Sequence, residues 1–182
     1  MHIKFICILC IAVSCIFCAP RAKAQRLALK TNALEYAVLS PNLTFEARLS
    51  PKFSLQLGLG THPTNLSIAN TKLTNFRIEP ELRYWFNRPM AKHFIALSAT
   101  AGAYSLRHKD HYFKGDVLAA GISYGYALVL SKHWNMEAEI GIGLGSFKGY
   151  DYKGADNMPS QKNYSRILPV PIRLALSFGY VF

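Results

Sequence analysis

Large apolar side chains recur at every second position along most of this chain. The last ten residues, RLALSFGYVF, set Leu174, Leu176, Phe178, Tyr180 and Phe182 on one face. Ala175, Ser177, Gly179 and Val181 fall on the other. A period of two belongs to a β-strand, whose successive side chains point to opposite faces. The same alternation predicts seven earlier strands. The first covers 26–39, with Leu27 and Leu29 opposite Ala28, Lys30 and Asn32. The next two cover 43–49 and 53–59. The fourth, FRIEPELRYWF, sets Phe76, Ile78, Leu82, Tyr84 and Phe86 against Arg77, Glu79, Glu81 and Arg83. The remaining three cover 95–102, 118–130 and 134–144. Helical periodicity is hard to find.

Connections alternate in length. Residues 50–52, 87–92 and 131–133 make tight turns, while 61–75, 105–116 and 147–166 are longer and polar. The link at 40–42 is short where this alternation asks for a long one. Pro80 sits in mid-strand, where it gives up a ladder hydrogen bond, and predicts a bulge or local break. Pro169 and Pro171 fall near the loop end of the last strand. Short turns at one end and long loops at the other mark an outer-membrane barrel. The fold class expected is all-β, an eight-stranded antiparallel up-and-down transmembrane β-barrel.

Which face meets lipid is legible in side-chain size. Opposite the bulky residues lie Gly58, Ser98, Gly102, Gly121, Ser123, Gly125, Gly141, Gly143 and Ser177. A narrow interior needs small side chains, and a face exposed to water does not. The bulky face is long enough to cross a bilayer on tilted strands of roughly 9–11 residues. The charges on the small-residue face are Lys30, Arg48, Arg77, Arg83 and Arg173 against Glu46, Glu79, Glu81, Glu137 and Glu139. An eight-stranded barrel is just wide enough for side chains to fill. Charges there must pair, so a closed lumen with a Glu/Arg network is expected rather than an open pore. Phe53, Tyr84, Phe86, Trp134, Tyr180 and Phe182 gather at the short-turn end, as a periplasmic aromatic girdle would.

The N-terminus changes the composition. After Lys4 comes the apolar run FICILCIAVSCIFCA, then AKA at 22–24, the layout of a secretory signal peptide cleaved after Ala24. Residues 25–182 would form the mature barrel, and the location would be the outer membrane of a Gram-negative bacterium. Cys7, Cys10, Cys15 and Cys18 form two CxxC pairs that resemble zinc ligands, yet all four leave with the leader. AVSC at Cys15 also loosely resembles a lipoprotein cleavage site. The formal charge of +11 loses Lys4, Arg21 and Lys23 and becomes +8. Export makes anionic lipid or polysaccharide a better match for that charge than nucleic acid.

Candidate chemistry is sparse. His62, His108 and His111, with Ser67, Ser105, Asp110 and Asp116 nearby in sequence, supply the residue types of an outer-rim hydrolase or acyltransferase. No spacing brings a nucleophile to a base. HKDH at 108–111 lacks a clear third metal ligand. No catalytic residue, metal or cofactor is assigned. Tyr150, Tyr152, Lys153 and Tyr164 stand in the predicted last loop. They suit either a surface protein or polysaccharide, or lipopolysaccharide phosphates at the membrane interface.

LALKTNAL, SPNLTFEARLSPKFSLQLGLG, PELRYWF and GISYGYALVLSKHWNMEAEIGIG together resemble an outer-membrane barrel family of Bacteroidota, domain of unknown function 3575. The likeness spans essentially the whole mature chain and is of the OmpA-like and OmpX-like small-barrel type. It implies an eight-stranded barrel and carries over no activity, ligand or catalytic residue. It also implies a surface-assembly role, with fimbriae as one association. The terminal strand ending in Phe182 resembles the signal read by barrel-assembly machinery. A structural, adhesive or accessory barrel is therefore expected. The alternatives are a lipid A-modifying enzyme and a soluble periplasmic barrel that binds a small apolar ligand.

Overall fold

The computed structural model describes residues 27–62, 67–68, 71–108, 110–154 and 159–182. The expected leader at 1–24, with its four cysteines, and the side chain of Ser67 lie outside the described residues. Strand β1 is Leu27–Asn32, followed by helix α1, Ala33–Ala37. Then come β2 (Asn42–Arg48), β3 (Phe53–His62), the two-residue β4 (Ser67–Ile68) and β5 (Thr71–Trp85). The chain ends with β6 (Lys92–His108), β7 (His111–Val129), β8 (Trp134–Lys153) and β9 (Tyr164–Val181). Apart from β4, which pairs only with β5, the strands form a ring of eight in up-and-down order. Strands β3 and β5 are neighbours, and β9 closes on β1 at pairs such as Leu29↔Tyr180. The all-β class, the eight-strand ring and the antiparallel up-and-down order are as expected.

Two predicted features shift. The first strand, expected over 26–39, stops at Asn32. Its side chain caps α1 by accepting from Leu34 N at 3.2 Å, and Ala33, Leu34 and Glu35 are good helix formers. The connection after β1 is therefore a helix and turn rather than the short 40–42 link. Much of the long polar pieces at 105–116 and 147–166 is strand, through residues 105–108, 111–116, 147–153 and 164–166. His108 pairs with His111, and β8 and β9 stay paired as far as Gly149↔Tyr164. Cross-strand rings support the outer end of the β7–β8 ladder, as in Tyr112–Tyr152, stacked at 5.3 Å.

Pro80 produces a break but no bulge. Its pairing with β3 is continuous at Leu57↔Pro80. Pairing with β6 skips Glu79 and Pro80, then resumes in the same register from Ile78↔Ala101 to Glu81↔Ser98. The nitrogen without a hydrogen faces β6, so only that ladder suffers. The register shift lies in β9, between Arg173↔Gly141 and Pro171↔Ile142.

That bulge matters because β1 is short. Beyond Ser177, β9 has no strand partner on the β1 side among the described residues. Asn32 covers the next step: its amide donates to Leu174 O at 3.2 Å and accepts from Leu176 N at 3.0 Å. Past the bulge, Val170 and Leu168 pair with Gly143 and Gly145. Pro171 and Pro169 therefore turn their nitrogens to the open edge, where a proline leaves no donor unpaired. They sit well inside the strand rather than at the rim. One side chain thus ends the β1 ladder and starts a helix. Asn32→Ala is predicted to lower unfolding free energy by about 2 kcal/mol or more, read from urea unfolding of the folded protein. An unchanged midpoint would count against this role.

Candidate functional site

The ring interior is filled by ions. Strand alternation sends Lys30 inward from β1, Glu46 from β2, Glu79, Glu81 and Arg83 from β5, Glu137 and Glu139 from β8, and Arg173 from β9. Arg83, 1% exposed, stands at the centre. It donates to Glu137 at 2.8 Å and Glu139 at 2.7 Å, lies 3.3 Å from Glu46, and bonds Glu81 beside it. Lys30 bridges Glu46 and Glu137, the latter at 2.5 Å. Arg173 joins Glu79, Glu81 at 3.7 Å and Glu139 at 3.4 Å. At the long-loop end Arg77 binds Glu79 at 2.8 Å and Glu35 of α1.

Among the described residues this network joins Lys30, Arg77, Arg83 and Arg173 to Glu35, Glu46, Glu79, Glu81, Glu137 and Glu139. Neutral donors serve the surplus carboxylate oxygens. Ser123 bonds Glu139 at 2.6 Å, Asn32 bonds Glu35 at 3.1 Å, and Ser54 bonds Glu46. Small residues make the room: a Cβ on Gly179 would lie 2.9 Å from Lys30 Cγ, and one on Gly60 2.8 Å from Arg77 Cζ.

Nine of the ten interior charges proposed from the sequence meet here. Arg48 does not join them. It lies half-buried at the short-turn end and donates to Ser50 O at 3.2 Å. Glu35 was missed because it lies on a helix, outside any strand alternation. Its position one residue before an aromatic carries no such signal. The aromatic plug was missed too. Trp85 is fully buried, tilts on Phe94 at 4.6 Å, and donates to Ser54 Oγ at 2.7 Å. The Arg83 guanidinium lies 4.3 Å from the Phe94 ring centre, a cation–π contact in a desolvated setting.

The six outer aromatics form two clusters on the outward face. Phe53, Tyr84 and Phe86 make edge contacts at 5.2 and 5.7 Å. Trp134, Tyr180 and Phe182 do so at 5.2 and 5.0 Å. Tyr150, Tyr152, Lys153 and Tyr164, expected on a loop, lie on the ends of β8 and β9. Tyr152 stacks on Tyr112, and Arg166 covers the Tyr164 ring at 5.5 Å.

Four of the sequence candidates for hydrolysis are divided between the two faces of the sheet. Ser105 and Asp116 share the outward parity of Ala103 and Leu118, whereas His108 and His111 have the inward parity of Tyr104 and Phe113. Asp116 is bonded to Lys162. That hydrogen bond raises the Lys162 pKa and keeps the ammonium charged. Among the described residues, no three His, Cys, Asp or Glu side chains come together as a metal site.

An up-and-down ring of eight strands around an ion-filled core defines a small β-barrel-like protein. The chain belongs to the family described as Protein of unknown function (DUF3575), whose family model matches residues 6–182. No curated protein matches it.

Removing Arg83 would leave the four carboxylates around it with Lys30 and Arg173 as their remaining cations. Arg83→Met is predicted to destabilise the fold by about 3–5 kcal/mol, measured by chemical unfolding with Trp85 fluorescence as the probe. A loss below about 1 kcal/mol would mean the charges are separately solvated.

Proposed function

We propose that this protein is a small outer-membrane β-barrel with a sealed, charge-paired interior. It serves as a structural, adhesive or surface-assembly accessory element and not as a pore or an enzyme. The reading is carried by an inside-out distribution of side chains. Ile140, Ile142 and Leu144 are 62–65% exposed on the outward face, while Arg83, Glu46 and Glu137 are at most 2% exposed inside. In water, folding would gain little from such an arrangement, and an apolar surface of this extent would aggregate. In a bilayer the outward residues need no cover, and the strands satisfy their own backbone groups.

The outward rows are continuous. Leu82, Leu97, Ile122, Ile142 and Pro171 are successive register partners across five strands. They line an apolar outward groove of about 920 Å³. The aromatic clusters at the short-turn end fit a headgroup boundary. Export by the N-terminal leader and insertion through the terminal Phe182 complete this account of location. A fimbrial or other surface assembly is the partner class that suits an accessory barrel.

The purified full chain is predicted to migrate differently in SDS gels before and after heating, to fractionate with outer membranes, and to give no wide single-channel openings in planar bilayers. Release by osmotic shock, together with a single gel mobility, would contradict the membrane reading. Wide stable openings would contradict the sealed interior.

A further inference from the structure

Beyond the apolar band, β5 to β8 continue, and their outward face changes character. Ile78, Ala101, Leu118 and Ser146 are register partners in one row. Two residues further out, Phe76, Ala103, Asp116 and Lys148 form the next row. The row after that is Thr74, Ser105, Lys114 and Tyr150. A groove of about 440 Å³ runs between these last two rows, floored by Phe76 and Ala103. Lys162 reaches into it from the β8–β9 connection and bonds Asp116.

Lys114, Lys162 and Asp116 line this groove, and the exposed Lys148, register partner of Asp116, stands beside it at the upper border of an apolar surface. Lys114 and Lys148 are diagonal neighbours across β7 and β8, close enough for one phosphate to meet both. A lysine is a mobile point charge suited to a phosphate that has no fixed approach. Tyr150, half-buried in the same groove, offers a flat amphipathic face, and Ser105 and Thr74 offer hydroxyls.

We propose that this groove binds the phosphorylated sugar headgroup of an outer-leaflet glycolipid of the lipid A type. The phosphate meets Lys114, Lys148 and Lys162. The sugar lies against Tyr150, with its hydroxyls on Ser105 and Thr74, and the acyl chains run down over Phe76, Ile78 and Leu118. Asp116 orients Lys162 and sets the spacing of the cations. The assignment rests on the membrane reading above and adds to it a defined lipid site. Apolar floor, hydroxyls and ring distinguish the groove from a plain basic patch, which would take any anionic headgroup.

The test uses the full chain in bilayer nanodiscs doped with diphosphoryl lipid A, fully dephosphorylated lipid A or phosphatidylglycerol. Retained lipid is counted by native mass spectrometry. Wild type is expected to retain diphosphoryl lipid A roughly tenfold over either of the others. The triple substitution Lys114→Gln, Lys148→Gln and Lys162→Gln should remove that preference, and the matching triple change to arginine should keep it. Equal retention of the three lipids, or an unchanged preference in the glutamine variant, overturns the site. Retention of phosphatidylglycerol equal to that of lipid A marks an unspecific anionic patch and overturns the glycolipid assignment. Insertion is followed in the same samples by heat-dependent gel mobility. An inserted protein without preference overturns only this site, whereas a protein that does not insert overturns the membrane reading and this site with it.

Discussion

Arg83 meets carboxylates from three strands, and the rest of the interior is arranged around that fact. Glu46 comes from β2, Glu81 from β5 itself, and Glu137 and Glu139 from β8. An ion removed from water costs several kcal/mol unless its partners are well placed. Four acceptors around one planar guanidinium meet that condition. They also tie opposite walls of the ring together, which backbone ladders between neighbours cannot do. Lys30 and Arg173 extend the contact to β1 and β9, the strands that close the ring. Such a core specifies register as well as stability. A slip of one residue would send every charge outward.

The wall has one weak place, where β1 and β2 end early. Three devices cover it. Asn32 supplies side-chain hydrogen bonds where the β1 backbone stops. Helix α1 carries Glu35 inward to Arg77 and so ties itself to the ionic core. Pro169 and Pro171 remove donors from the edge that remains. An open edge bearing donors and acceptors would be costly in hydrocarbon and adhesive in water. Sequence, local geometry and environment therefore agree at the point where the ring is least regular.

Much of this was legible in the sequence because a period of two is a strong signal. The bulky face, the small-residue face and nine interior charges all follow from alternation alone. Alternation says nothing where the chain leaves the strand. Glu35 was invisible for that reason, and Arg48 was included because it shares the interior parity although it sits beyond the ionic core. Strand ends were also misjudged. Polar residues at 105–116 and 147–166 read as loops, but an antiparallel ladder needs only backbone pairing and cross-strand contacts to continue into solvent. Trp85 shares the inward parity of Arg83, but a large ring departs from the small and charged residues that mark the interior face. Its burial depends on Phe94 across the next turn and on Ser54, 31 residues away in sequence.

The two tryptophans allow a direct test of the inside-out claim. Trp134 is 52% exposed on the outward face, and Trp85 is fully buried in the interior. Single-tryptophan proteins, made with Trp85→Phe or Trp134→Phe, can be placed in bilayers of brominated-chain phospholipid and their fluorescence quenching compared. The account predicts strong quenching of Trp134 and little of Trp85. Equal quenching, or quenching of neither, would contradict it.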